Sequence, residues 1–450
     1  MPAAKLRIVY VMVLCTGLLT LNNCGDVWLS SKPSSTSQPT TNVPPASPLP
    51  ADDTSKNNEI RFLENRVKGD PDDFIAYNKL AADYLQRQRE TGSIEYLSLA
   101  TRAAQASLKA IPAEQNPGGL TALAQAEYAS HNFTAARDDA LKLKELSPDK
   151  SYPYEILCDA LIELGDYDEA EAAFARMEKL GRGSSIGTET RLARLSVLRG
   201  HVADAQKHLS QALALALQSS SPSRETVAWC RWQLGETAFS IGDYETAERY
   251  YRDSLTTFPD YYRALASIAR VRVARNDLQG GMEFYEQAIK RLPDPAFVAA
   301  SGDLYKLAGH EREAAAQYAL VEQIGHLSAA SGALYNRQLA LFYADHDIEP
   351  EEAYANAVKE YEARRDIYGA DALAWTALKA GKISEAQSAI KDALRLGTQD
   401  AKVFYHTGMI ARAAGDKTKA RDYLRRALVL NPQFDLLQAS FARKALEELS

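Results

Sequence analysis

The sequence predicts an all-α fold made of repeated helical hairpins, and three observations predict it. Segments starting at Tyr154, Arg231 and Val403 each place apolar residues three and four apart, then turn at Gly-Asp, then resume the same helical spacing. The turns recur at a nearly fixed distance, as from Gly242 to Asn276, which matches the period of a helical repeat. The composition, 46% hydrophobic and 25% charged over 450 residues, supplies a core throughout such an array.

Composition and charge also exclude several classes of protein. Four cysteines in 450 residues are too few for a disulfide-stapled scaffold, and the apolar content is too high for a disordered chain. The net charge of −7 gives no electrostatic footprint for nucleic acid. The most basic stretch, from Arg270 to Arg275, is short, and we expect no nucleic-acid partner.

Residues 1–23 predict a signal peptide. Lys5 and Arg7 precede an uncharged, mostly apolar run at 8–21, which is shorter than the ~20 residues that a bilayer span needs. The following LNNCGD resembles a bacterial lipoprotein signal, which implies lipidation of Cys24, although Asn23 stands where that family prefers Gly, Ala or Ser. An uncleaved membrane anchor and a plain secreted protein stay open as alternatives. All three predict export of residues 58 onward, and the lipoprotein and the uncleaved anchor predict attachment to a membrane of the cell envelope.

Residues 24–57 predict a disordered tether. Six of the 18 prolines fall between Pro33 and Pro50, and Ser and Thr fill most of the gaps. Apolar side chains are too sparse for a core, and proline favours extended polyproline II. Such a spacer suits a folded body held away from a membrane.

The sequence pattern predicts about ten hairpins over residues 58–434 and a C-terminal capping helix over residues 435–450. A helix before Asp70 would cover the N-terminal end, as a repeat array requires. The ten turns fall at 89–92, 131–132, 165, 200, 242, 276, 309, 345–349, 381 and 415. In the turns, glycine ends one helix in the left-handed conformation and the next residue caps the following helix, with Asp166 and Glu169 at capping-box spacing.

The repeat period of about 34 residues, with its small and large positions, resembles the tetratricopeptide repeat. In the fifth copy the signature positions hold Leu234, Gly235, Ala238, Ala247, Tyr251, Ser254 and Pro259. The resemblance implies an α-solenoid that winds into a right-handed superhelix. It also implies a concave groove lined by the first helix of each hairpin, where a protein or extended peptide would bind.

The family pattern places a mixed aromatic and charged set of side chains on that groove. The candidate binding residues are Arg194, Trp232, Glu236, Phe239, Arg270, Asp303, Trp375 and Tyr405. Trp, Tyr and Arg are the residue types that most often dominate binding energy. The alternative for each tryptophan is simple packing between neighbouring helices. Trp232 and Glu236 replace the Lys/Asn clamp of chaperone-tail-binding relatives, which argues against a Glu-Glu-Val-Asp-like tail as the partner.

No catalytic motif stands out, so we expect a non-enzymatic protein without cofactor or metal. The sequence contains no HExxH or CxxC pattern, and no nucleophile–base constellation of the GxSxG kind stands out. The alternative is a component that binds glycan or small molecules, or an enzyme, using groove carboxylates. Its only candidates are Asp159, Glu236, Asp303 and Asp371, which lie on different copies. Cys158 and Cys230 sit at small-residue positions of helices and are expected to be buried free thiols.

Overall fold

The computed structural model describes residues 45–49, 53–181, 183–330 and 337–449. These residues form 22 α-helices and no strand. The helices are α1 (Asp53–Gly69), α2 (Phe74–Thr91), α3 (Ile94–Ala110), α4 (Pro117–Ala129), α5 (Phe133–Leu146), α6 (Tyr152–Leu164), α7 (Tyr167–Leu180), α8 (Ile186–Leu198), α9 (Val202–Gln218), α10 (Arg224–Ser240), α11 (Tyr244–Thr257), α12 (Tyr262–Ala274), α13 (Leu278–Arg291), α14 (Pro295–Leu307), α15 (Glu311–Ala330), α16 (Arg337–Asp345), α17 (Pro350–Ala363), α18 (Ile367–Lys379), α19 (Ile383–Ala393), α20 (Ala401–Ala413), α21 (Lys417–Leu430) and α22 (Gln438–Glu448). The predicted all-α solenoid is confirmed.

Helices α2 to α21 pair in sequence order as ten hairpins, from α2/α3 to α20/α21, and each hairpin packs on the next. Helix α1 packs on α2 and α22 packs on α21, so each end of the array is covered by one helix. Helix α1 begins at Asp53, inside the segment that the sequence assigns to the tether. Its first turn is held by salt bridges from Asp53 to Arg87 and from Lys56 to Asp83, partners on α2 that no local pattern reveals.

Local capping and small residues explain the hairpins. At four of the ten hairpin turns an Asn or Asp side chain accepts the backbone N–H three residues on, as Asp243 does from Thr246. The predicted cap by Asp166 was wrong, because its side chain makes no capping hydrogen bond at the start of α7. Gly235 lies directly against the ring of Tyr251, where a Cβ would come within 2.4 Å of the ring, so the paired helices α10 and α11 approach closely.

The array is wound tightly enough that successive turns of the superhelix touch. The tip of an early hairpin meets the connection that follows a much later hairpin in the chain. Gly165 lies against Arg365, Gly200 against Gly397, and Gly242 against Asn431. We call this line of contacts the seam.

The seam is made of backbone hydrogen bonds together with apolar contacts. The Arg365 N–H donates to the Leu164 carbonyl at 2.9 Å, and the Ile367 N–H donates to the Tyr167 hydroxyl at 2.9 Å. Ile367 begins the ninth hairpin, yet it is fully buried in the apolar core of the third. The concave surface of the middle hairpins is therefore covered by the next superhelical turn.

Candidate functional site

Among the described residues, three of the cavities lie along the concave surface, and most of their lining comes from the first helices of the hairpins. Cavity A, of 520 Å³, lies between α6, α8 and α10 on one side and α16 to α18 of the next superhelical turn on the other. Cavity B, of 370 Å³, lies between α10, α12, α14 and α16 and the chain that follows α21. Cavity C, of 630 Å³, lies at the C-terminal end of the array. It is lined by α18, α20 and α22, which are neighbours in the stack, and by Asp347 in the turn after α16.

Cavity A has apolar walls and a charged cluster at the seam. Glu163 is buried and pairs both with Arg194 of the adjacent hairpin and with Arg364 of the next superhelical turn. Burial alone would raise the pKa of Glu163, but the two guanidiniums lower it to about 2. Arg337 donates two hydrogen bonds to Asp366, at 3.1 Å and 2.6 Å. Of these pairs, Glu163–Arg364 joins the two superhelical turns, whereas Arg337 and Asp366 both belong to the later turn.

Cavity B contains a histidine–carboxylate pair. The two ring nitrogens of His346 face only acceptors, with Nε2 at 2.7 Å from the Asp303 carboxylate and Nδ1 at 2.8 Å from the Phe342 carbonyl. Both nitrogens must donate, so the ring carries two protons and a positive charge. Burial opposes this charge, but the hydrogen bond and the proximity of the Asp303 carboxylate raise the pKa of His346 overall.

Cavity C combines an aromatic floor with an exposed apolar rim. Trp375 packs beside Tyr405 with ring centroids 5.5 Å apart, and its Nε1 donates to Asp345 at 2.7 Å. The Lys379 ammonium lies 5.0 Å from the centre of the Trp375 ring. At the rim, the Phe441 side chain of α22 is 51% exposed.

The structure distributes the predicted groove residues among these cavities. Arg194 lines cavity A; Phe239, Arg270 and Asp303 line cavity B; Trp375 and Tyr405 line cavity C. Trp232 and Glu236 line none of the three. The Trp232 Nε1 donates to Ser267 at 2.9 Å, and Glu236 accepts hydrogen bonds from Tyr251, Ser267 and Arg270. The polar groups of the predicted central patch are therefore paired within the chain, and its role in binding stays a prediction.

The four carboxylates considered for catalysis each have a separate partner. Asp159 pairs with the fully buried Arg191, Glu236 pairs with Arg270, Asp303 pairs with His346, and Asp371 pairs with His406. In the part of the chain that the structure describes, no two of these four carboxylates pair with the same basic side chain. The geometry is that of structural ion pairs between hairpins.

Residues from the next superhelical turn were missed entirely by sequence reasoning. Arg337, Glu360, Arg364, Asp366 and Tyr368 all line cavity A. They lie in α16 to α18 and the connections between them, several hairpins along the chain from the α8 side chains that face them. A repeat pattern describes contacts between neighbouring copies only, so no signal in it identifies these residues.

Three further features concern the chemistry of the chain. Cys158 and Cys230 are free and fully buried, as predicted, and burial raises the pKa of the Cys158 thiol to about 12. Within 45–49, 53–181, 183–330 and 337–449, no cluster of three or more His, Cys, Asp or Glu side chains is arranged to hold a metal ion. Among the helices of the same ranges, none is both long and apolar enough to cross a bilayer. Cys24 and the predicted signal peptide lie outside the described residues.

Comparison with known proteins settles the family. Models described as tetratricopeptide repeat match residues 185–260 in one case and residues 121–185, 233–295 and 372–433 in another. Together these matches span more than half of the chain. The chain belongs to the tetratricopeptide repeat family. Repeats of this family generally mediate protein–protein interaction, so this tetratricopeptide repeat protein is an interaction scaffold in that general sense.

One solved structure shows low similarity to this chain. A crystal structure of a tetratricopeptide repeat protein from Parabacteroides merdae ATCC 43184 is 15% identical, with a TM-score of 0.33. The alignment covers 59% of this chain and 98% of that chain. No curated protein matches the sequence.

Proposed function

We propose that the protein is a non-enzymatic, membrane-attached scaffold of the bacterial cell envelope that binds a protein or extended peptide in cavity C. One observation carries the choice of cavity. Cavity C is lined by consecutive elements and has an exposed phenylalanine at its rim, whereas cavities A and B are bounded by a second superhelical turn. A folded partner therefore reaches the concave surface most directly at the C-terminal end.

The lining of cavity C suits a partner protein or peptide that presents an apolar side chain next to an acidic one. Trp375, Tyr405 and Met409 supply the polarisable surface that anchors apolar side chains in interfaces. Lys379, Arg412 and Lys444 outnumber the two lining carboxylates, Asp347 and Glu448. Lys444 is exposed and has no ion pair among the described residues, which leaves its charge available to a partner.

A site-specific photocrosslinking experiment tests the binding surface. Benzoylphenylalanine placed at position 441 in the full-length protein should crosslink one discrete protein in intact cells. The matched control places it at Val429 of α21, which is 78% exposed and does not line cavity C. Lys444→Glu should weaken the crosslink from position 441 at least several-fold. Equal labelling from both positions would contradict the assignment of cavity C.

The proposed location depends on the N-terminal sequence. A lipidated Cys24 would hold the body at a membrane through the proline-rich tether, at a reach of up to ~3 Å per residue. Cys24→Ala should move the protein from the detergent phase to the aqueous phase in a phase-partitioning assay. Cys15→Ala, within the apolar run, is the matched control and should not. Continued membrane partitioning of Cys24→Ala would favour an uncleaved anchor.

A further inference from the structure

Cavity A has the size and setting of a small-molecule site. Its volume of 520 Å³ lies within the range of about 300–1,000 Å³ that small-molecule sites occupy. It lies between two superhelical turns that close on each other at the seam around Gly165 and Arg365. A site in this position is shielded from bulk water on two sides, which strengthens the contribution of apolar burial.

The walls of cavity A are mainly apolar. They include Ile162, Ala193, Val197, Leu209, Trp229 and Leu341. The first five belong to the third, fourth and fifth hairpins, and Leu341 comes from α16 of the next turn. An apolar ligand that covers such walls removes apolar surface from water, which favours binding.

The arginine, aspartate and glutamate side chains that line cavity A sum to zero net charge, and His131 also lines the cavity. Three guanidiniums, those of Arg194, Arg337 and Arg364, face three carboxylates, those of Glu163, Glu360 and Asp366. Each guanidinium is paired with at least one of these carboxylates. An ionic ligand would have to break such a pair inside a poorly solvated site, which is costly. The cavity therefore favours an uncharged ligand over an ion.

The lining also disfavours a polypeptide. Each residue of a bound peptide brings an N–H and a C=O that need hydrogen-bond partners once they leave water. The Thr190 and Thr237 hydroxyls already donate to carbonyls of their own helices. The Gln233 amide lines the cavity and has no hydrogen-bond partner among the described residues. The Gln233 amide can therefore pair with one neutral polar group of a ligand.

We propose that cavity A binds one apolar small molecule that carries a single uncharged hydrogen-bonding group, which contacts the Gln233 amide. The apolar walls exclude water from the apolar part of the ligand. The cluster of paired arginines and carboxylates, which has no net charge, lies beside the ligand at the seam. This site is separate from cavity C and does not depend on the binding of a partner there.

Two fluorescent probes with the same ring skeleton test the proposal on the full-length protein. N-Phenyl-1-naphthylamine is uncharged with one N–H group, and 8-anilino-1-naphthalenesulfonate adds a sulfonate to that skeleton. The uncharged probe should bind saturably at one site per chain, and the sulfonate should bind at least tenfold more weakly. Absence of saturable binding, or equal affinity of the two probes, would overturn the proposal.

A matched pair of substitutions locates the site. Val197→Trp fills cavity A and should abolish binding of the uncharged probe. Val273→Trp makes the same change at a lining residue of cavity B and should leave the affinity within twofold. Gln233→Leu should weaken binding several-fold without changing the helix content. The opposite pattern, loss with Val273→Trp and retention with Val197→Trp, would refute the assignment.

A second measurement does not depend on any variant folding. Benzophenone, an uncharged apolar photolabel, should modify peptides from α8, α10 and α16 of the unaltered protein, as read by mass spectrometry. An excess of the naphthylamine should protect those peptides. Labelling confined to the C-terminal hairpins would overturn the proposal for cavity A and leave the crosslinking test of cavity C unaffected.

Discussion

Glu163→Gln is the sharpest perturbation of the seam. The Glu163 carboxylate is 3% exposed and lies between two guanidiniums that belong to different superhelical turns. Glutamine has nearly the same shape but no charge, so the change removes the two ion pairs without opening a cavity. Arg194 then has no carboxylate partner in the salt bridges of the described residues and keeps its contact to the Tyr128 hydroxyl, whereas Arg364 keeps the carboxylates of Glu360 and Asp366.

The size of the effect follows from the pKa. The pKa of Glu163 falls from its ordinary value of 4.5 to about 2, and each unit corresponds to ~1.4 kcal/mol, so the charged form contributes about 3 kcal/mol. Because the folded-state pKa is lowered, this contribution is complete above about pH 5 and is lost as the pH falls towards 2. Removal of one partner from a buried ion pair costs about 3–5 kcal/mol, which agrees.

Urea unfolding at pH 7, followed by circular dichroism, measures the cost. Repeat arrays need not unfold in one step, so amide hydrogen exchange at Arg365, whose N–H bonds across the seam, supplies a local measurement. The matched control is Glu171→Gln, since Glu171 pairs with Arg199 at the surface, where both side chains are substantially exposed. That change should cost about 0–1 kcal/mol.

The comparison between the two variants decides the outcome. Glu163→Gln should lower the free energy of unfolding by about 3 kcal/mol and speed exchange at the seam, and the difference from Glu171→Gln should vanish near pH 2. Equal effects of the two substitutions at pH 7 would refute the view that the seam ion pairs stabilise the superhelix.

Three other predictions concern the turns, the histidine pair and the thiols. Gly165 and Gly415 both have φ above +80°, so replacing either by alanine should cost ~1 kcal/mol of backbone strain. Gly165→Ala should cost more than this, because its Cβ would lie 2.2 Å from the Arg365 carbonyl oxygen, whereas the Cβ of Gly415→Ala would meet no atom within 4 Å. Thermal unfolding of the two variants measures the difference. NMR titration of the His346 ring should give a pKa above the ordinary ~6.5. The charged ring should stabilise the folded protein fully below pH ~6.5, and this stabilisation should disappear as the pH rises through the raised pKa. A pKa at or below ~6.5 would contradict the pairing with Asp303. Cys158 and Cys230 should react with an aromatic disulfide reagent only after urea unfolding, and reaction in the native protein would show that they are accessible.

The hairpins were predictable because their causes are local. Apolar residues three and four apart define the buried face of each helix, and turn residues such as Gly242 with Asp243 end one helix and begin the next. Many inward positions follow from the family pattern, since the predicted residues Arg194, Phe239 and Trp375 all line cavities on the concave surface. Small departures from the rule, such as the missing cap at Asp166, show that side-chain rotamers are set by more than spacing.

Which of those inward positions stay accessible was not predictable. Trp232 and Glu236 have the residue types of a binding patch, but the structure joins them to Ser267 and Arg270 of the next hairpin. Whether a polar group is free depends on the distance to every other polar group, and spacing along one helix does not contain that distance. The exposure of Phe441 was equally invisible, because it depends on how α22 lies over the last hairpin.

The sequence by itself determined a stack of ten helical hairpins with a cap at each end, because each hairpin is specified by contacts within one repeat and with its immediate neighbours. Only the tertiary structure decided that the superhelix closes on itself, with Glu163 joined to the distant Arg364. Small rotations between neighbouring hairpins add up over several copies, and their sum fixes whether a groove stays open or becomes a cavity. That sum is a property of the whole array, so no single repeat encodes it.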